Sequence, residues 1–173
     1  MTWTRDCVWT SLKTLSVKAM ETQDSSFFDL GDNTALVCVD HQQYQKMVVP
    51  QLIDMTYKVH LGLFEEDVIL KLQTYSYNVV IVYENFKGST QENNPILREL
   101  VKRPEAERRG YFVVLLSHRF ATNDATTAFV QSVDQIVNVA DLANFKPVVR
   151  RGVGQHRELY SSFSETLKSV QAI

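Results

Sequence analysis

From residue 34 onward the chain keeps returning to one arrangement, a short β-branched apolar run followed by a longer amphipathic stretch. The runs are "TALVCV" (34–39), a weaker "YKVHLGL" (57–63), "NVVIV" (78–82), "YFVVLL" (111–116) and "QIVNV" (135–139). Continuous apolar runs of this length suit strands covered on both faces rather than strands with one wet side. A strand–helix unit repeated five times calls for a parallel sheet with helices on both of its faces.

The stretches between the runs carry helical signals. Tyr44, Met47, Val48, Leu52 and Met55 share one face of a helix over 43–55, with Pro50 expected to kink it or end it early. Val68 and Leu72 mark a second helix over 65–72. Pro95 opens a third in "PILRELVKR", and Pro104 starts the short turn "PEAERRG". Asn123 or Asp124 is placed to cap a helix carrying Ala128, Phe129 and Val133, and Asp141 to cap the last helical stretch. The first 30 residues fit none of these units and read as an appended arm.

Composition narrows the function. The 173 residues fit one domain with an extension, and 45 % hydrophobic residues supply a full core. A net charge of −2 argues against gripping nucleic acid through a bulk positive field. The chain has no run of eighteen apolar residues to span a membrane, and "MTWTRDCVWTSLKTLSVKAM" lacks a secretory apolar core. Cys7 and Cys38 stand far apart without a CxxC partner, and Cys38 reads as a buried reduced thiol. The cytoplasm is the expected compartment.

In open parallel sheets the chemistry gathers at the carboxyl ends of the strands. Those ends are Asp40–His41, Tyr83–Glu84, Ser117–His118 and Val139–Ala140. Residues 34–140 resemble the receiver domain of bacterial two-component response regulators. "YNVVIVYENF" is similar to that family's third strand, "YFVVLLSH" to its fourth strand with a terminal Ser or Thr, and "SVDQIVNVAD" to its last turn and strand. The segment from "NPILRELVKR" to "IVNVADL" also resembles a receiver-like module at the end of some bacterial zinc-ribbon proteins. Here the paired CxxC motifs of the ribbon are absent.

The resemblance implies a phosphoacceptor pocket and, residue by residue, an emptied one. Asp40 stands for one acid of the strand-one pair, with His41 beside it. Tyr83 takes the seat of the nucleophilic aspartate, Ser117 keeps the hydroxyl, and Val139 replaces the lysine. A phenol forms no acyl phosphate, and without the lysine an anion loses its cationic partner. Strand alternation aims Glu84 away from Tyr83's side, although a turn of the loop would bring it back to a metal site with Asp40 and His41 or His118. The simpler expectation is that the Tyr83 ring fills the pocket and its hydroxyl meets water. No metal or cofactor is expected.

Other constellations are weaker. His41, His60, His118 and His156 show no metal-ligand spacing. Ser117–His118 lacks the elbow of a hydrolase nucleophile. "RRGVGQHRE" (150–158) has no P-loop lysine, and its two glycines are expected to weaken or break a helix. Arg150, Arg151 and Arg157, joined by Arg108 and Arg109, make a candidate basic patch.

The tail is more informative. Leu142, Phe145, Val149, Leu159, Phe163, Leu167 and Val170 recur at helical spacing beyond Asp141. An unbroken helix of that length reaches about 45 Å, more than one sheet edge covers. Each large apolar side chain left in water forgoes roughly 1.5–3 kcal/mol. The candidate covers are the arm (Trp3, Val8, Trp9, Leu12, Leu15), a second copy of the chain or a different protein, with the first two favoured together.

The resulting expectation is an α/β fold with a five-stranded parallel sheet in order 2-1-3-4-5. An N-terminal arm (1–32) precedes a receiver-like domain (33–150), and a helical extension follows (151–173). The expected function is a non-phosphorylatable, non-enzymatic signalling or scaffolding module that binds a protein partner, with homodimerisation through the last helix. Its face is placed at Phe129, Val133, Leu142, Phe145, Leu159, Phe163 and Leu167. The alternatives are a small-ligand binder or enzyme at the strand-end cleft, and a nucleic-acid-associated regulator using Arg150 and Arg151.

Overall fold

The computed structural model describes residues 32–90 and 93–171, and the side chains of these except 162–164 and 167–171. The strands are β1 (Asn33–Cys38), β2 (Tyr57–Leu61), β3 (Val79–Tyr83), β4 (Phe112–Ser117) and β5 (Gln135–Asn138). All neighbours pair in parallel, in the order β2-β1-β3-β4-β5. The helices are α1 (Gln42–Asp54), α2 (Glu65–Thr74), α3 (Pro95–Lys102), α4 (Glu105–Arg108), α5 (Ala125–Val130) and α6 (Phe145–Gln171). The predicted fold class and strand order are those observed. The arm, with Trp3, Cys7 and Trp9, lies outside the described residues, as do the side chains of Phe163, Leu167 and Val170.

The β-branched runs explain the sheet. Ala35, Val37, Val79, Ile81, Phe112, Val114, Leu116 and Val137 alternate onto one face. There they pack with Val48 and Leu52 of α1 and Phe145 and Val149 of α6. The intervening residues, among them Leu36, Val80, Val82, Leu115 and Ile136, are equally buried. Cys38 is a fully buried free thiol, and burial pushes its pKa well above the ordinary range, so it stays protonated.

Four local expectations are corrected. α1 does not end at Pro50 but runs four residues past it to Asp54. Pro50 is on the exposed side, where water can reach the carbonyl that a ring nitrogen cannot serve. Asp141 does not cap the last helix. A 3-10 turn, Val139–Asn144, leads into α6 and is capped by Asn138, whose Oδ1 accepts from the Ala140 N–H at 2.9 Å. Asp141 instead accepts from the Thr122 hydroxyl at 2.5 Å.

Gly152 and Gly154 do not break α6, which is continuous from Phe145 to Gln171 and crosses the expected boundary at 150. Gly152 is a packing residue, since a Cβ there would lie 2.7 Å from both Gln135 Oε1 and Phe112 Cζ. Finally, Val133, Leu142 and Phe145 are not on a surface: Val133 is buried behind α5, and Leu142 and Phe145 lie in the core. The helical period finds which residues share a face but not what covers that face, and here the sheet covers the first turns of α6.

Candidate functional site

Four strand ends converge at the carboxyl edge of the sheet. Tyr83 closes β3 opposite Leu116, and Ser117 closes β4 opposite Asn138. Strand pairing therefore sets Asn138, not Val139, abreast of Ser117. Val139 packs its alkyl group against the core.

Glu84 is the residue that alternation misplaces. Its own N–H still donates to Leu116 O at 3.0 Å, so the backbone continues the ladder for one more bond. Its carboxylate turns in rather than away. Oε2 accepts from the Ser117 hydroxyl at 2.5 Å and Oε1 from the His118 N–H at 2.7 Å. The side chain is only 1 % exposed. Ser117 Oγ in turn accepts from the N–H groups of Arg119 and Phe120, at 3.0 and 3.3 Å. One carboxylate thus organises the start of the β4–α5 loop.

The loop after β3 is held from the other side. Asn94, the cap of α3, donates to Tyr83 O and Glu84 O at 3.1 and 3.3 Å, and its Oδ1 accepts from Ile96 and Leu97. Lys87 sits at φ 54°, a left-handed turn position, and its N–H donates to Asp40 Oδ2 at 2.9 Å. Asp40 and Glu84 are therefore both engaged by donors of the chain.

Tyr83 packs with the core cluster on this side of the sheet and is only 7 % exposed. Its hydroxyl lies 3.0 Å from His118 Nε2. Burial, ahead of the neighbouring Tyr44, Glu84 and Asp40, raises the phenol's pKa, which keeps its proton available to donate. Tyr44 reaches the same nitrogen at 3.2 Å, and its ring stacks on His41 at 4.0 Å. Sequence reasoning missed Tyr44. The signal was its position one turn after the His41 cap, which sets it on the same end of the sheet.

This geometry bears on the rival readings. His118 faces the two phenols while Ser117 faces Glu84, so no nucleophile–base pair forms between the adjacent residues. Among the described residues, no group of three His, Cys, Asp or Glu is placed to hold a metal ion. His60 has a buried structural role, its Nδ1 2.8 Å from the Tyr77 hydroxyl.

The five arginines do not form one patch. Arg108 pairs with Asp134 at 3.0 Å and Arg109 with Glu105. Arg150 and Arg157 border a hollow beside Lys146, whereas Arg151, a helical step of about 100° away, borders a different one. No helix among the described residues is long and apolar enough to cross a membrane.

No protein-family model matches the chain, and no curated protein matches it in sequence. Solved structures do match it in fold. A response regulator from Thermotoga maritima superposes with a TM-score of 0.54 at 16 % identity, over 71 % of this chain and 98 % of its own. A chemotaxis response regulator of Vibrio cholerae gives 0.52 at 15 % identity, over 70 % and 98 %. A response regulator receiver protein from Burkholderia phymatum gives 0.53 at 14 % identity, over 70 % and 95 %. The strand order, the layers and these likenesses agree: the chain has the fold of response-regulator receiver domains.

Proposed function

We propose that this chain is a receiver-like signalling module that accepts no phosphoryl group and acts through protein–protein contact, without cofactor or enzymatic step. The observation that carries the reading is the occupancy of the strand-end pocket by the chain's own groups. A tyrosine ring fills it, and the hydroxyl of Ser117 is already bonded to the Glu84 carboxylate. In a receiver that is switched by phosphorylation, a negative charge arrives at this hydroxyl. Here the chain's own Glu84 side chain already holds this hydroxyl, so the face that reads it is permanently set.

The experiment is incubation with acetyl phosphate and magnesium followed by intact-mass measurement. The expected result is an unchanged mass. A gain of one phosphoryl group overturns the proposal.

The contact face is placed on α5 and the outer part of α6. Phe129 is 85 % exposed, Val130 is also largely exposed, and Leu159 is 71 % exposed. Apolar side chains of this size, grouped on neighbouring elements, mark association surfaces. Because α6 continues well beyond the sheet, a second copy of the chain is the occupant proposed. Light scattering on the pure chain should report a dimer that becomes monomeric in the Phe129→Asp, Leu159→Asp double variant. A wild-type monomer at all concentrations removes the homodimer.

A further inference from the structure

The hollow that Arg150 and Arg157 border opens where the amino ends of β1 and β2 meet the end of α1 and the first half of α6. It is at the opposite edge of the sheet from Tyr83, Glu84 and Ser117. Its volume of about 430 Å³ is within the range of small-molecule sites, about 300–1,000 Å³. Its two helical walls are tied together by Gln51 of α1. The amide donates through Nε2 to Leu142 O and accepts through Oε1 from the Lys146 N–H, both at 2.8 Å.

The charge in the hollow is one-sided. Lys146, Arg150, Gly154 and Arg157 follow at intervals of four, four and three residues and so share one face of α6. Three cations face a single carboxylate, Asp54, which is already paired with Lys146. Arg150 and Arg157 have no acid partner among the described residues, and both are exposed. Like charges a turn apart on a helix repel. The whole chain carries −2, so this surplus is local and not an overflow of the bulk composition.

A strained residue lines the same hollow. Thr56 has φ 66°, in the left-handed region that β-branched residues rarely enter. It follows the C-cap of α1, where glycine is the unstrained choice. Backbone strain of this kind gathers at ligand sites.

The spacing of the arginines states the ligand. A guanidinium fork matches phosphate oxygens two at a time. Arg150 and Arg157 are seven residues apart, about 10 Å along the helix. Gly154 puts no side chain between them, and a Cβ there would meet nothing within 4 Å. A lone tetrahedral anion satisfies one fork, whereas two linked phosphates engage both. A nucleic-acid strand fits less well, because Arg151 borders the other hollow and does not extend the track.

We propose that this hollow binds a diphosphate group, free or esterified in a small molecule, with Arg150 and Arg157 each holding one phosphate. The inference does not rest on the partner reading. Its failure would leave the acetyl phosphate and light-scattering results standing.

The test is amide-resolved NMR titration of the full chain in magnesium-free buffer. The probes are pyrophosphate, adenosine diphosphate, inorganic phosphate and a single-stranded oligothymidylate. One of the two diphosphates should give saturable shifts centred on Thr56, Val153 and Gly154, about tenfold or more tighter than inorganic phosphate. Which of the two binds more tightly tells whether the group is taken free or as an ester. Arg150→Gln and Arg157→Gln should each weaken that ligand by about tenfold or more. Arg151→Gln, an equal change of charge on the neighbouring residue, should leave it unchanged. All three side chains are exposed, so these substitutions leave the fold intact.

Five results overturn the site. They are no saturable shift with either diphosphate, inorganic phosphate binding as tightly, unchanged affinity in both arginine variants, and Arg151→Gln weakening the ligand as much as they do. The fifth is oligothymidylate binding more tightly through the same residues, which would make the hollow part of a nucleic-acid surface.

Discussion

Replacing Glu84 by alanine should lower the unfolding free energy by about 3 kcal/mol, measured by urea titration. Two opposing effects set the sign. Removing a buried carboxylate relieves the cost of taking a charge out of water, several kcal/mol for an ion without compensation. Here the compensation is good: the Ser117 hydroxyl and the His118 N–H both donate to it at short range. Hydrogen bonds to charged groups contribute about 1.5–3 kcal/mol each, and a donor left buried and unmet costs about 1–3 kcal/mol. Ser117 Oγ receives two N–H groups, and the acceptor its own hydrogen meets is Glu84 Oε2, which the alanine removes. The alanine also leaves a cavity where the carboxyl was.

The loss should therefore exceed the relief. Ser117→Ala should remove part of the same interaction, and the double variant should cost less than the sum of the two single ones, as expected for partners in one network. A Glu84→Ala protein more stable than the parent would mean that the carboxylate is held at the expense of stability. That outcome would favour the strand-end cleft as a ligand or reaction site over the switchless module proposed above.

The course of Glu84 also shows where the sequence stops being legible. The sheet could be read because each buried strand announces itself through a run such as "VVIVY" or "FVVLLS", and parallel connection rules leave few orders for five such runs. The place of Tyr83 could be read because it ends its strand, and a strand end fixes a residue's place. Glu84 could not be read in the same way. It is the first residue after β3, where the two-residue alternation no longer binds, and its direction is decided by donors at Ser117 and His118, 33 and 34 positions later.

The apolar stripe from Leu142 to Leu159 failed differently. Its period was correct, but its inner half belongs to the core and its outer half to the surface, and periodicity carries no such boundary. The seam between β5 and α6 was invisible for a third reason. Gln135 is the entry residue of an apolar run and His156 sits among charged helix residues. Only the approach of α6 to β5 gives the two a common environment.

That approach depends on Gly152, and the glycine pair of α6 gives the second large effect. Gly152→Ala and Gly154→Ala should move stability in opposite directions, with a separation of about 1–3 kcal/mol, the cost of overpacking at 152 alone. Both sit inside one continuous helix, where alanine is favoured over glycine by about 1 kcal/mol. Helix propensity alone therefore predicts the same gain twice. Surroundings separate them. A Cβ at 154 meets nothing within 4 Å, so Gly154→Ala should realise the full gain. A Cβ at 152 would lie 2.7 Å from Phe112 Cζ and from Gln135 Oε1, well inside contact distance.

Neither neighbour gives way easily. Phe112 is a buried residue of a central strand, and the Gln135 amide is tied to Asn123 and Val148. Overpacking of this kind costs about 1–3 kcal/mol, enough to cancel the propensity gain and reverse it. Thermal melts of the two variants beside the parent decide the matter. A rise for Gly154→Ala with a fall for Gly152→Ala places α6 tightly against β5 and Phe112. Equal rises would mean that the helix stands off the sheet there.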